Sequence, residues 1–223
     1  MNRVRKLIEQ NKWVLVTLLV IFVSILFFKL LTQRKYGLTE LSSYISDQKN
    51  GLSLIKTING IKINLTNRPT SLIAYQNCAH SLNDYTSNYS KDSCYDAAYH
   101  DALKFYHFVL SLSEDGDDLL KGTSVQNKGW KQISYYLSFT LEKEAMLITD
   151  YNDTVLPSLV HFARFYGISA SCDLFIAFPR PNKAPKRFFT VVIPEFGMST
   201  GNVRFKYQLS DLENIPQLKL KQL

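Results

Sequence analysis

The sequence predicts an all-β or α+β protein, in which a single N-terminal transmembrane helix leads into a β-sandwich-like domain with two or three helical insertions. Three observations predict it. An uncharged apolar run opens the chain, period-two alternation of apolar and polar residues recurs along the remainder, and only two or three stretches carry helical spacing instead. A length of 223 residues leaves room for one ordinary domain beyond the apolar run. Thirteen Tyr and fourteen Phe exclude a disordered chain, because so many rings supply the apolar surface that pays for ordering.

The apolar run reads WVLVTLLVIFVSILFF from Trp13 to Phe28, and Leu30 and Leu31 extend it past Lys29. Crossing the hydrocarbon core takes about 20 residues of helix, which residues 13–32 supply. The following KLLTQRKYG offers no small-residue cleavage site, so the run reads as a retained signal anchor rather than a removed signal peptide. Arg3, Arg5, Lys6 and Lys12 precede it, with Trp13 at one interface; Arg34 and Lys35 follow. That bias places residues 1–12 in the cytoplasm as a tail and the C-terminal domain outside it, in the periplasm of a bacterial envelope. The lipid bilayer is thus the first expected partner.

Charge sorts the remaining partner classes. The whole chain carries +7, but residues 1–35 hold seven Lys/Arg against Glu9. Nineteen Lys/Arg and eighteen Asp/Glu remain, so the domain carries only +1. A near-neutral domain lacks the broad basic surface that phosphate neutralisation needs, and nucleic acid is excluded as a partner.

After the anchor, residues 33–59 read as a juxtamembrane tether with a short helix around Thr39–Ile45, and residues 60–223 as the domain. Ile61, Ile63 and Leu65 alternate with polar neighbours; so do Ile133, Tyr135, Leu137, Phe139 and Leu141, and Val203, Phe205, Tyr207 and Leu209. Each series predicts a strand with one wet face. Further strands are predicted at Phe108–Ser113, Ala145–Thr149, Cys172–Phe178 and Arg187–Ile193, the last two apolar on both faces. Helices are predicted at Thr70–Leu82 after Arg68-Pro69, at Asp96–Lys104, and at Leu156–Tyr166, where Pro157 sits in the first turn and Gly167 just past the end.

Several residue groups bear on chemistry. Cys78 and Cys94 enclose fifteen residues, and an oxidising compartment favours a disulfide between them. Free thiols, or a zinc set with His80 and His100, are the competing readings, though that spacing matches no familiar finger. No metal or cofactor is assigned, and Cys172 reads as a buried free thiol. Gly197-Met198-Ser199-Thr200-Gly201 matches G-x-S-x-G, but a strand pattern follows it and no histidine lies downstream. It therefore reads as a hairpin turn, and the chain as non-enzymatic. Asp96, His100 and His107 would share a face only on one unbroken helix. Glu114 to Asp118 packs four carboxylates around Gly116 without the spacing of a calcium loop, and reads as a solvated turn. Tyr85, Tyr89, Tyr95 and Tyr99 stand among Asn, Ser and Asp, the mixture of ring faces and hydrogen-bonding groups that contacts glycans.

Three spans carry a resemblance: GIKINLTNRPTSLIAYQ (60–76), LSFTLEKEAMLITDYNDTVLPSLVHFARFYGISASCDLFIAFP (137–179) and GNVRFKYQLSDLENIPQLKL (201–220). A strand followed by R-P and a helix, D-T ahead of a helix, and a terminal strand closing with N-I-P resemble uncharacterised membrane-anchored cell-envelope proteins of the Bacteroidetes type. The resemblance implies an extracytoplasmic β-rich domain and transfers no activity. The chain departs from lipid-anchored members in having no lipid-accepting cysteine near its start. The expected function is a membrane-anchored interaction domain, as a subunit or accessory of an envelope complex with protein partners. A glycan- or wall-binding module built on the 85–99 tyrosines is the alternative, and an organellar inner-membrane subunit a third.

Overall fold

The computed structural model describes residues 35–83, 91–163 and 169–219. The span 13–32 and the flanking Arg3, Arg5, Lys6, Lys12, Trp13 and Arg34 lie outside the described residues, as do Tyr85 and Tyr89. Among the described residues no helix is long and apolar enough to cross a membrane.

In chain order, β1 (Lys35–Tyr36) leads into α1 (Leu38–Ser46), then β2 (Ser53–Ile58), β3 (Ile61–Arg68), α2 (Thr70–Asn83), α3 (Lys91–Ala102), β4 (Phe105–Glu114) and β5 (Asp117–Asp118). Next come α4 (Thr123–Lys128), α5 (Trp130–Tyr135), a π turn (Tyr136–Thr140) and α6 (Leu141–Glu144). The chain continues through β6 (Met146–Thr149), β7 (Thr154–Val155), β8 (Leu159–Ala163), β9 (Cys172–Pro179), β10 (Phe188–Ile193), β11 (Val203–Gln208), α7 (Leu209–Glu213) and β12 (Gln217–Leu218). The domain is mixed α+β, with sheets dominating.

One antiparallel sheet runs β2-β3-β4-β9-β8, with β5 added to β4; a second runs β11-β10-β6-β7; β1 and β12 form a parallel pair. The two larger sheets share one core. Phe108 of the first meets Phe189 and Tyr207 of the second at ring distances of 6.3 and 5.2 Å. Edge and tilted contacts suit the ring quadrupoles. The fully buried Tyr207 donates its hydroxyl to the Leu65 carbonyl at 2.6 Å, so the polar atom that its ring carries into the core is paired. A smaller cluster of Leu41, Ile45, Leu52, Leu72 and Leu218 joins α1, α2 and β12.

Three expectations are corrected. The strand over Ile133–Leu141 is helical, because Ile133, Leu137 and Leu141 are buried at four-residue spacing while Tyr135 and Phe139 face solvent. An α-helix drifts about 40° for each four-residue step, and the wider π turn takes part of that drift back, holding the three on one line. The helix over Leu156–Tyr166 is replaced, through residue 163, by a connection at 156–158 that leaves β7 and by β8. Val160 and Phe162 face the core, and Ser158 donates its N–H to the Ala177 carbonyl, fixing the register against β9. The tether does not hold either. β2 pairs along its whole length with β3, Leu52 is buried, and α1 supplies Leu41 and Ile45 to the small cluster, so the folded domain already includes Lys35. Edge position hid β2, since Lys56 and Thr57 face water.

Candidate functional site

An open groove of about 1320 Å³ is lined by residues from both ends of the domain. One wall is helical. Pro69 closes β3, its carbonyl accepts the N–H groups of Leu72 and Ile73, and Thr70 and Ser71 of the first α2 turn face the groove. Tyr95 and Tyr99 stand four residues apart on α3, so they share a face, and their rings stack at 5.9 Å with planes 29° apart. Asp96 lies between them. The opposite wall is the 212–219 segment, including Glu213, Asn214 and Gln217, with β12 held by β1. Lys35, Tyr36 and Tyr44 complete it, the two rings 6.1 Å apart.

At the base, Arg180 lies over the Tyr106 ring at 4.5 Å while its backbone N–H donates to the Lys104 carbonyl. Burial pushes the phenols of Tyr95, Tyr44 and Tyr106 upward, and Asp96, Asp211 and Glu213 respectively add to it, so these hydroxyls remain protonated and can donate. Behind the base, half-buried His107 bonds through Nε2 to the Ala102 carbonyl at 3.1 Å. Burial, with Arg180 adding, outweighs that bond and lowers its imidazole below 6.5, which keeps it neutral. The lining holds Lys35, Arg180 and Lys219 with Asp96 and Glu213, leaving it close to neutral.

The structure joins Cys78 and Cys94 in a disulfide that ties α2 to α3, with Cα atoms 5.6 Å apart. Both sulfurs are thereby taken from the zinc set that His80 and His100 would have completed. Among the described residues no three His, Cys, Asp or Glu side chains are placed to hold a metal ion. Cys172 is free and buried, its thiol pushed up by burial and by Asp118 and Asp173. Asp96 and His100 share α3, but that helix ends at Ala102 and His107 belongs to β4. The three do not form one face.

Gly197–Gly201 is a turn between β10 and β11, folded around Glu195. That carboxylate accepts the N–H groups of Met198 (2.6 Å), Ser199 (2.7 Å) and Gly201, and the Thr200 hydroxyl. Burial alone would raise its pKa, but these bonds together hold it below the usual glutamate value of 4.5. Ser199 takes a positive φ of 59°, and the chain passes into β11 at Val203 without a helix. The acidic turn divides as well. Buried Glu114 accepts the Ser124 hydroxyl and N–H, and a Cβ on Gly122 would meet its carboxylate, so a side chain there would have to displace it. Asp118 caps the turn that follows it by accepting from Leu120 N–H.

A second feature lies on the surface. Tyr135 and Phe139 are 64% and 57% exposed, with ring centroids 5.1 Å apart on the outer face of the α5–α6 helix. On the first sheet, exposed Phe175 pairs with His161 and exposed Leu159 with Ala177, which sets the two apolar side chains as diagonal neighbours.

The aromatic signal of the 85–99 segment thus places Tyr95 and Tyr99 in the groove. Arg180 and the 212–219 wall were missed as site residues: their partners lie far earlier in the chain, and no local pattern links the two walls.

Fold and groove together define a mixed α+β domain with an open, aromatic-lined cleft. No protein-family model matches the chain, and no curated protein matches it. Among solved structures it is similar to the crystal structure of a DUF4426 family protein from Pseudomonas aeruginosa PAO1. The identity is 10%, over 70% of this chain and 94% of that one, with a TM-score of 0.35. A likeness at that level assigns no function.

Proposed function

We propose that the chain is a non-enzymatic single-pass membrane protein whose β-sandwich-like domain stands in the periplasm and works by binding protein partners, as a subunit or accessory of an envelope complex. The observation that carries this reading is the apolar surface left in water. Tyr135 and Phe139, each more than half exposed, touch one another rather than the core. The domain fully buries Phe108, Phe178, Phe189, Phe205 and Tyr207 but leaves this touching pair in water, a surface of the kind that a partner covers. The 13–32 span and its cationic flank support the anchored topology. The Cys78–Cys94 disulfide suits an oxidising compartment.

The test is co-purification of the full chain from gently solubilised membranes, alongside protease accessibility of its C-terminal end in intact and opened cells. A stoichiometric protein partner is expected, lost on Tyr135→Ser with Phe139→Ser while the thermal melt stays unchanged. A strictly monomeric chain, or a C-terminal end that stays protected once the outer membrane alone is opened, would overturn the proposal.

A further inference from the structure

We infer that the groove between α3 and the 212–219 segment binds an uncharged carbohydrate chain, with Tyr95 and Tyr99 as its ring platform. Size is the first argument. At about 1320 Å³ and open along its length, the groove exceeds the 300–1,000 Å³ common for small-molecule sites, so it fits an extended ligand. Charge is the second. The lining holds three cations with two carboxylates, and Arg180 is already engaged over the Tyr106 ring. A polyanion such as nucleic acid or an acidic lipid surface would meet Asp96 and Glu213 as well as the cations.

Chemistry is the third. Sugar rings offer apolar C–H faces and a periphery of hydroxyls. The groove is lined by the stacked Tyr95–Tyr99 ring pair and, on the opposite wall, by the Gln217 amide and by Asn214, whose Nδ2 already donates to the Ser210 carbonyl at 2.7 Å. An extended peptide is disfavoured, because strand addition needs a length of free edge. β12 has only two residues, and they already pair with β1. The inference is independent of the Tyr135–Phe139 surface, which lies on other elements.

The test is calorimetric titration of the full-length chain, held in a detergent without a sugar headgroup. Maltoheptaose, cellohexaose and chitohexaose are the probes; a neutral heptapeptide and a heparin hexasaccharide are the comparisons. At least one neutral oligosaccharide is expected to bind saturably. Tyr99→Ala should weaken it about ten-fold, the upper range for one lost ring contact, and Tyr99→Phe should restore most of it. Gln217→Ala, on the opposite wall, should weaken it too, which keeps the test decisive if Tyr99→Ala lowers the melting temperature. Failure of all three oligosaccharides to bind would overturn the inference. So would binding unchanged in both alanine variants, or preferential binding of the heptapeptide or heparin. Loss of the protein partner in the Tyr135/Phe139 variant would leave it standing.

Discussion

A single hydroxyl in the core joins the two sheets. Tyr207 comes from β11 and Leu65 from β3, so their 2.6 Å bond is a polar fastening between layers otherwise held by apolar contact. Tyr207→Phe keeps the ring packing and leaves the Leu65 carbonyl without that donor. A loss of about 1–2 kcal/mol is expected in denaturant unfolding, with the fold retained. His107 gives a pH dependence of definite sign. Its folded pKa lies below the ordinary 6.5, so the unfolded chain binds the proton more readily. Its contribution is complete above 6.5 and is lost as pH falls through that value toward the lower folded one. Melting temperature should therefore drop between pH 7.5 and 5.5, and His107→Gln should flatten that part of the profile. A variant as pH-sensitive as the parent would contradict the assignment.

At the scale of elements, α3 is weakly rooted. From Ser93 to Ala102 only Ala102 is buried, while Cys94 ties the helix to fully buried Cys78. A bridge across a loop of this length is worth about 3 kcal/mol by chain entropy. Reduction should accordingly release α3 first. Amide exchange in residues 93–102 is expected to rise well before that of β3, β4 and β9, and equal acceleration everywhere would refute this order.

Elements also decide what could be read in advance. Strands β3 and β11 announced themselves by alternation, where each residue's two neighbours settle which face is buried, and β9 and β10 by short apolar runs buried on both faces; both signals are local. The 133–141 segment failed for a physical reason. Period two contains period four, so Ile133, Leu137 and Leu141 satisfy a helix as well as a strand, and only the exposure of Tyr135 and Phe139 tells them apart. In the same way, Pro157 fits the first turn of a helix and equally the gap ahead of an edge strand. Of the groove, the α3 tyrosines were legible from composition. Its other wall was not, because a groove is defined by what folds across from it.

For the whole molecule, charge and architecture separate cleanly. The +7 of the chain resides almost entirely in residues 1–35, and the folded part presents a balanced surface. Two sheets enclose one large core, and a satellite cluster of Leu41, Ile45, Leu52, Leu72 and Leu218 binds the entering and closing segments beside the groove. The domain thus has a rigid body and a lighter margin, and the candidate site lies along that margin.

The parallel pairing of β1 with β12 has a mechanical meaning. Lys35 aligns with Gln217 and Tyr36 with Leu218, and the Lys219 N–H donates to the Tyr36 carbonyl. Tension entering ahead of Lys35 and leaving past Lys219 pulls the two strands in opposite directions along their length. Their hydrogen bonds are then loaded together in shear rather than opened one after another, as in a zipper. A tug between the two ends of the domain is borne at this seam, and the sheets behind it are spared the load.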